Sequence, residues 1–128
     1  MEVKRRYLNT QGVEVQEVKE GDILTVEISV RSDQPLNNVA VVDLLPGCFE
    51  PMLTQEGIIR PQQVTHNERR EDRWLFFTST DTSPVLLTYR VRALIAGSFQ
   101  VPAVTAESMY EPSVNASQSG GRITVTPR

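Results

Sequence analysis

Residues 23–31 read ILTVEISVR, and apolar and polar side chains alternate along the last eight of these nine positions. Successive side chains of a β-strand point to opposite faces, so a period of two predicts a strand with one buried face. The same alternation returns in residues 87–93 (LTYRVRA) and 122–126 (RITVT). No segment repeats apolar residues at the helical spacing with a cap and a glycine stop. The sequence therefore predicts an all-β chain.

Two further segments, residues 39–45 and 74–77, are apolar at successive rather than alternate positions. Such runs are typical of central strands packed on both faces, or of strands near a sheet crossover. Turn-forming pairs that contain glycine separate the segments, for example at residues 20–21, 46–47 and 120–121. About seven to nine short strands with such turns predict an antiparallel two-sheet β-sandwich.

The length, composition and net charge of the chain favour a single folded domain and argue against nucleic-acid-binding and membrane-spanning proteins. The chain has 128 residues, a single-domain length, and its 39% hydrophobic and 23% charged residues are typical of a folded domain. A formal net charge of −3 argues against a nucleic-acid surface, which needs a basic face. No run approaches the roughly 18 apolar residues of a membrane-spanning helix, and the first residues lack the apolar stretch of an export signal. We predict one domain, residues 1–128, with no nucleic-acid partner and no direct membrane insertion.

Two polar stretches interrupt the strand pattern. Residues 54–71 contain Pro61 and end in a mixed-sign charged run, so they are predicted to form a long solvated loop that includes His66. Residues 110–119 are predicted to form a second loop. Within it, Asn115-Ala116-Ser117 matches the glycosylation pattern, a short match that arises often by chance.

The sequence contains few combinations of residues that could form a catalytic or metal-binding site. One cysteine and one histidine exclude a cysteine-based zinc cage and leave no recognisable nucleophile–base pair. Cys48 has no neighbour that would lower its pKa, so it is predicted to be a small apolar residue at a strand end. Asp43 interrupts an apolar run and is predicted to accept backbone hydrogen bonds at a strand end. We predict no enzymatic activity, no cofactor and no metal site.

Residues 106–112 (AESMYEP) end an alternating strand with two bulky side chains, Met109 and Tyr110. Neighbouring residues of a strand point to opposite faces, so at most one of the two faces the core, although both can emerge where a strand ends. Methionine adapts to irregular surfaces, and tyrosine adds contact area and a hydroxyl. The pattern alone fits a contact pair and ordinary edge packing equally well.

Seven segments in order carry a resemblance to a known family: residues 3–7 (VKRRY), 21–22 (GD), 39–51 (VAVVDLLPGCFEP), 71–77 (EDRWLFF), 87–93, 97–102 (GSFQVP) and 106–110 (AESMY). Together they resemble the last macroglobulin domain of bacterial alpha-2-macroglobulins. The resemblance covers nearly the whole chain. It implies a macroglobulin or immunoglobulin-like sandwich that forms the C-terminal piece of a much longer multidomain chain.

The resemblance also implies a function. Proteins of this family are long periplasmic chains that trap proteases, and many carry an internal thioester in another domain. The domain is then a non-catalytic part of an endopeptidase inhibitor, packs on a thioester-type domain of the same parent and meets target proteases indirectly. Met109 and Tyr110 would shield the thioester and latch the resting state. The expected location is the periplasm, as part of an exported parent.

Two other classes of function compete with this one. A free-standing immunoglobulin-like adhesion or carbohydrate-binding module usually presents an aromatic platform, yet aromatic residues make up only 6% of the chain. Only Tyr7 and Tyr110 are expected to be exposed rings. A small hydrolase would need a nucleophile–base pair that the sequence does not supply. We expect an interaction domain, with the adhesion module as the alternative.

Overall fold

The structure is a computed structural model that describes residues 1–52, 64–70 and 72–128. Strands, and no helix, form its regular secondary structure, as the alternating pattern predicts. The described residues contain twelve strands: β1 (Glu2–Leu8), β2 (Glu17–Lys19), β3 (Ile23–Arg31), β4 (Leu36–Leu44), β5 (Phe49–Pro51), β6 (Val64–Arg69), β7 (Arg73–Thr80), β8 (Val85–Ala93), β9 (Gly97–Gln100), β10 (Val104–Ser108), β11 (Asn115–Gln118) and β12 (Arg122–Thr126).

The strands form two large sheets and one small one. The first sheet has the order β1-β3-β8-β5, the second β11-β10-β4-β7-β6, and the third β2-β12-β9. Every pairing is antiparallel except that of β12 with β2. The buried faces of the sheets share one hydrophobic core, which confirms the antiparallel sandwich. More strands are present than predicted because β2, β5, β9 and β11 have only three or four residues, too few to show a periodic pattern.

The buried side chains of β3 and β8 are those that the alternating sequence pattern predicts. In β3 the even-numbered residues Leu24 to Val30 are at most 1% exposed, and in β8 the odd-numbered residues Val85 to Ala93 are equally buried. The two strands pair so that Ile28 lies opposite Leu87. Directly opposed side chains on one face of a sheet pack against each other. This pair of strands forms the centre of the first sheet.

Strands β4 and β7 are packed mainly on one face, whereas their apolar runs favoured two. Val41 and Phe76 are completely buried and lie opposite each other. Their neighbours Val42, Leu75 and Phe77 are only partly buried on the outer face of the second sheet. The apolar runs therefore fill the core from one side and leave a partly covered apolar surface on the other.

Both predicted loops contain a strand, which corrects the sequence interpretation. Residues 64–69, including His66, form the edge strand β6 and pair with β7, and the Arg70 N–H donates to the Arg73 carbonyl. The rest of the first predicted loop, residues 54–63 and 71, lies outside the described residues. Residues 115–118 form β11. Both are polar edge strands, whose composition resembles that of loops because charged and polar side chains protect an open sheet edge.

Strand β4 connects the two ends of the sandwich. The Met109 N–H donates to the carbonyl of Asn38 near the start of β4, while the Leu94 N–H donates to the carbonyl of Cys48 just beyond its end. The six residues that separate Asn38 from the end of β4 span roughly 20 Å at about 3.3 Å per residue. Exposed apolar pairs therefore lie at opposite ends, Met109 with Tyr110 at one and Leu94 with Ile95 at the other.

Candidate functional site

Met109 and Tyr110 directly follow strand β10, and both side chains are exposed, to 53% and 79% respectively. Strict alternation after the buried Ser108 would turn Tyr110 back toward the core. The chain instead leaves the sheet at this point, so both side chains emerge, as the position at a strand end allows. Two neighbouring apolar side chains in water form a surface suited to contact with another protein surface.

Hydrogen bonds hold the residues around this pair, which we name the tip loop (residues 109–114). The Ser108 N–H donates to the Val114 carbonyl (3.0 Å), and the Val114 N–H donates to the Glu111 carbonyl (2.8 Å). The Glu111 N–H donates to the Ser108 hydroxyl (3.3 Å). Backbone groups that are bonded in this way lose conformational freedom before any contact is made, which lowers the entropy cost of docking. The tip loop is a preorganised display of Met109 and Tyr110.

Among the described residues, side chains rather than backbone groups donate hydrogen bonds to Asp43, contrary to the sequence prediction. It is completely buried, and its carboxylate is bonded by the guanidinium of Arg5 and by the hydroxyl of Tyr89. Arg5 also donates to the carbonyl of Pro102, and its Cζ lies 5.5 Å from the centre of the Tyr7 ring. We name Arg5, Asp43 and Tyr89 the buried triad. It links β1 and β8 of the first sheet to β4 of the second.

Arg5 does not stand out in the sequence, because it lies between Lys4 and Arg6 in a run of similar residues. No local pattern distinguishes a buried arginine from two solvated basic neighbours. Asp43 does indicate a buried partner, since a carboxylate inside an apolar run requires a compensating group when it is buried. The triad's contacts join the two large sheets through buried polar groups.

Two tyrosine hydroxyls, one in the triad and one beside it, stay protonated at neutral pH. Burial, reinforced by the charge of Asp43, raises the pKa of Tyr89, so its hydroxyl remains a donor to the carboxylate. Burial likewise raises the pKa of Tyr7. Tyr7 was expected to be an exposed ring, but only 7% of it is exposed and it packs edge-on against Phe49 (5.3 Å). Among the described residues, the Tyr7 hydroxyl and the Trp74 Nε1 are buried without a hydrogen-bond partner.

Cys48 is a completely buried free thiol in the core cluster, which agrees with its predicted packing role. Burial raises its pKa to about 11. The thiolate is the reactive form, and an unfolded cysteine has a pKa of about 8.5. At pH 8 the folded chain should therefore react with iodoacetamide about a hundredfold more slowly than the chain in 6 M urea.

The same shift predicts a loss of stability in alkali. A raised pKa in the folded state means that the contribution of the Cys48 thiol is complete below about pH 8.5 and disappears as the pH rises toward 11. Urea unfolding at several pH values should show this loss, and Cys48→Ala should reduce it. Rapid alkylation of the folded chain at pH 8 would contradict the buried position.

The described part of the chain also bears on other kinds of site. No three of its His, Cys, Asp and Glu side chains lie close enough together to hold a metal ion, and it has no helix long and apolar enough to cross a membrane. Asn115 lies on an exposed edge strand, where its side chain donates to the carbonyl of Pro112 (2.8 Å). Met109 and Tyr110 are the predicted site residues that the fold brings together at the surface.

Comparison with known proteins agrees with the fold. The model of the bacterial alpha-2-macroglobulin MG10 domain matches residues 1–113. An alpha-2-macroglobulin of Pasteurella multocida is 35% identical over 131 residues, which cover 98% of this chain and 7% of that relative. The chain thus spans less than a tenth of the length of this curated relative.

Solved structures give the same result. The structure of Escherichia coli alpha-2-macroglobulin activated by porcine elastase superimposes with a TM-score of 0.88 and 30% identity, over 98% of this chain and 13% of that chain. The structure of Salmonella alpha-2-macroglobulin reacted with methylamine superimposes with a TM-score of 0.86 and 28% identity, over 98% and 9% of the respective chains. Both similarities extend over nearly the whole of this chain.

Proposed function

Because this chain belongs to the bacterial alpha-2-macroglobulin family, in which it matches the MG10 domain, we propose that it is the non-catalytic C-terminal interaction domain of a protease-trapping parent chain. The parent acts on its target proteases through other domains, and this domain contributes contacts within the chain. Its place of action is the periplasm. The similarity to macroglobulins that were activated by elastase or reacted with methylamine supports this function.

The Met109–Tyr110 pair packs on a neighbouring thioester-type domain of the parent and latches the resting state. One observation carries this proposal: two neighbouring apolar side chains are 53% and 79% exposed on a loop that is already ordered by hydrogen bonds. A thioether and an aromatic ring exclude water and amines from an electrophilic carbonyl without reacting with it. A contact of this small size is also released by a modest shift between domains.

The test uses the complete parent chain with Met109→Ala and Tyr110→Ala combined. Methylamine attacks a thioester at its carbonyl carbon, an amide forms, the carbon–sulfur bond breaks and the sulfur leaves as a thiolate. We expect the double variant to release this thiol about tenfold faster than the unchanged parent, because the shielding contact is lost. A thiol reagent follows the rate.

The matched control is Leu94→Ala with Ile95→Ala, an apolar pair at the other end of the sandwich whose side chains are 48% and 53% exposed. Its rate should equal that of the unchanged parent. Equal rates for the Met109–Tyr110 variant and the parent would overturn the latch, and so would a parent that releases no thiol with methylamine. Circular dichroism establishes that each variant is folded.

The structure argues against the alternative of a carbohydrate-binding or adhesion module, because one of its two expected exposed rings is buried. A binding platform for sugars needs exposed rings, and the burial of Tyr7 leaves Tyr110 as the exposed tyrosine, since Tyr89 is also buried. A single ring next to a methionine fits a contact with protein better than an aromatic platform.

A further inference from the structure

Strand β4 is irregular where it passes the tip loop. Its pairing with β7 is regular from Val39 onward, but two residues, Asn37 and Asn38, lie between Val39 and Leu36, where β7 has only Ser79. An extra residue in one strand defines a β-bulge, which bends the strand and redirects its backbone groups. Bulges next to functional surfaces often direct a particular group.

Asn38 has a left-handed backbone conformation, with φ of 62°, and no other non-glycine residue of the described chain has a positive φ. Side chains other than glycine, asparagine and aspartate rarely adopt this conformation. Asn38 is exposed, so its side chain is not held there by burial in the core. The backbone conformation itself is therefore the feature that this position supplies.

The carbonyl of Asn38 accepts a hydrogen bond from the Met109 N–H at 2.9 Å. This bond continues the pairing of β4 with β10 by one residue beyond Ser108, which lies opposite Val39. The other hydrogen bonds of the tip loop, within the described part of the chain, join its residues to one another, to Ser108 and to Asn115. Among the described residues, the bond that the Met109 N–H donates to Asn38 is thus the one that ties Met109 to strand β4.

We propose that Asn38 is a positioning residue for the Met109–Tyr110 pair, an inference that rests on the latch function proposed above. Its left-handed conformation directs its carbonyl toward Met109 and fixes the point at which the chain leaves the sheet. A side chain that forces a negative φ at position 38 turns this carbonyl away. Met109 then loses its tie to β4, and the pair loses its fixed direction while the core stays intact.

The test compares three single variants in the complete parent chain. Asn38→Val introduces a β-branched side chain that disfavours the left-handed conformation, whereas Asn38→Gly keeps that conformation accessible without the amide. Asn37→Val is the matched control, because it changes the neighbouring asparagine, whose φ is not positive. Two readouts are the rate of thiol release by methylamine and the exchange rate of the Met109 amide hydrogen.

We expect Asn38→Val to raise the rate of thiol release at least about fivefold and to speed exchange at Met109 about tenfold. Exchange of the amides that join β3 and β8 should not change. Asn38→Gly and Asn37→Val should both stay within about twofold of the unchanged parent. Rescue by glycine identifies the backbone conformation, rather than the asparagine side chain, as the cause.

The combined Met109→Ala and Tyr110→Ala variant separates the two proposals. If it releases thiol rapidly while Asn38→Val behaves like the unchanged parent, the positioning role is wrong and the latch stands. If the combined variant has no effect, the latch itself is wrong, and the positioning role with it. A glycine variant that is as fast as the valine variant would also overturn the role of the backbone.

Discussion

Asp43→Asn is expected to lower the free energy of unfolding of this chain by about 4 kcal/mol. The change removes the negative charge that compensates Arg5, whose side chain is only 2% exposed. An uncompensated guanidinium in the core then remains without the water that would solvate it. Urea unfolding followed by the fluorescence of Trp74, the single tryptophan, measures the effect.

The neighbouring residue in β1 provides the control. Arg6 forms the same kind of ion pair with Glu27 (2.7 Å), but its side chain is 52% exposed. Water solvates both groups once the pair is broken, so Glu27→Gln should hardly change the stability. A similar loss for the two variants would mean that the buried triad is solvated and does not stabilise the sandwich through compensation of charge.

Phe76→Ala is expected to cost about 4 kcal/mol of stability, the second large effect. Phe76 is completely buried on the inner face of β7, where its ring lies 6.0 Å from that of Trp74 and 6.1 Å from that of Tyr89. Truncation removes buried apolar surface and leaves a cavity that the two neighbouring rings cannot fill without moving. The midpoint of urea unfolding should therefore shift to a lower concentration.

Phe77→Ala is the matched comparison, since it removes the same side chain from the next residue. Phe77 lies on the outer face of the second sheet and is only partly buried. We expect a loss of about 1 kcal/mol, in proportion to the smaller area withdrawn from water. Equal losses would contradict the alternation of inner and outer faces along β7.

The variants Phe76→Ala and Phe77→Ala also test whether the sequence of β7 is sufficient to identify its buried side chains. Residues 74–77 are apolar throughout, so the sequence does not distinguish the inner from the outer side chains. The pairing with β4 distinguishes the inner from the outer side chains, because Phe76 lies opposite the buried Val41 and Phe77 lies opposite Ala40. Where a strand alternates, as in residues 24–30, the sequence alone identifies the buried set.

The edge strands show a second limit of local patterns. Residues 64–69 and 115–118 have the composition of loops, and both were predicted to be loops. Their strand conformation comes from pairing with β7 and β10, which supply hydrogen-bond partners that the sequence of the segment does not reveal. Charged and polar residues are typical both of loops and of edge strands, so composition does not distinguish the two.

For the candidate site, the sequence indicates Met109 and Tyr110, which the structure places at the surface, but it does not indicate the residues that support them. A bulky pair at the end of a strand was sufficient to select Met109 and Tyr110, because the alternation of a strand no longer applies where it ends. Asn38 was not identified, although asparagine is one of the few residues that tolerate a left-handed conformation. Its importance depends on lying beside Met109, which is far away in the chain.

The sequence by itself determined the all-β class, the core faces of the alternating strands and the scarcity of catalytic combinations. These properties follow from the period of two, which neighbouring residues establish, and from composition, which is a sum over all residues. Neither depends on contacts between distant segments. Only the tertiary structure decided that Arg5, 38 positions from Asp43, compensates its charge, and that Asn38 holds Met109. Both contacts join distant segments, and their geometry is set by the register and closure of the sheets rather than by any neighbouring residue.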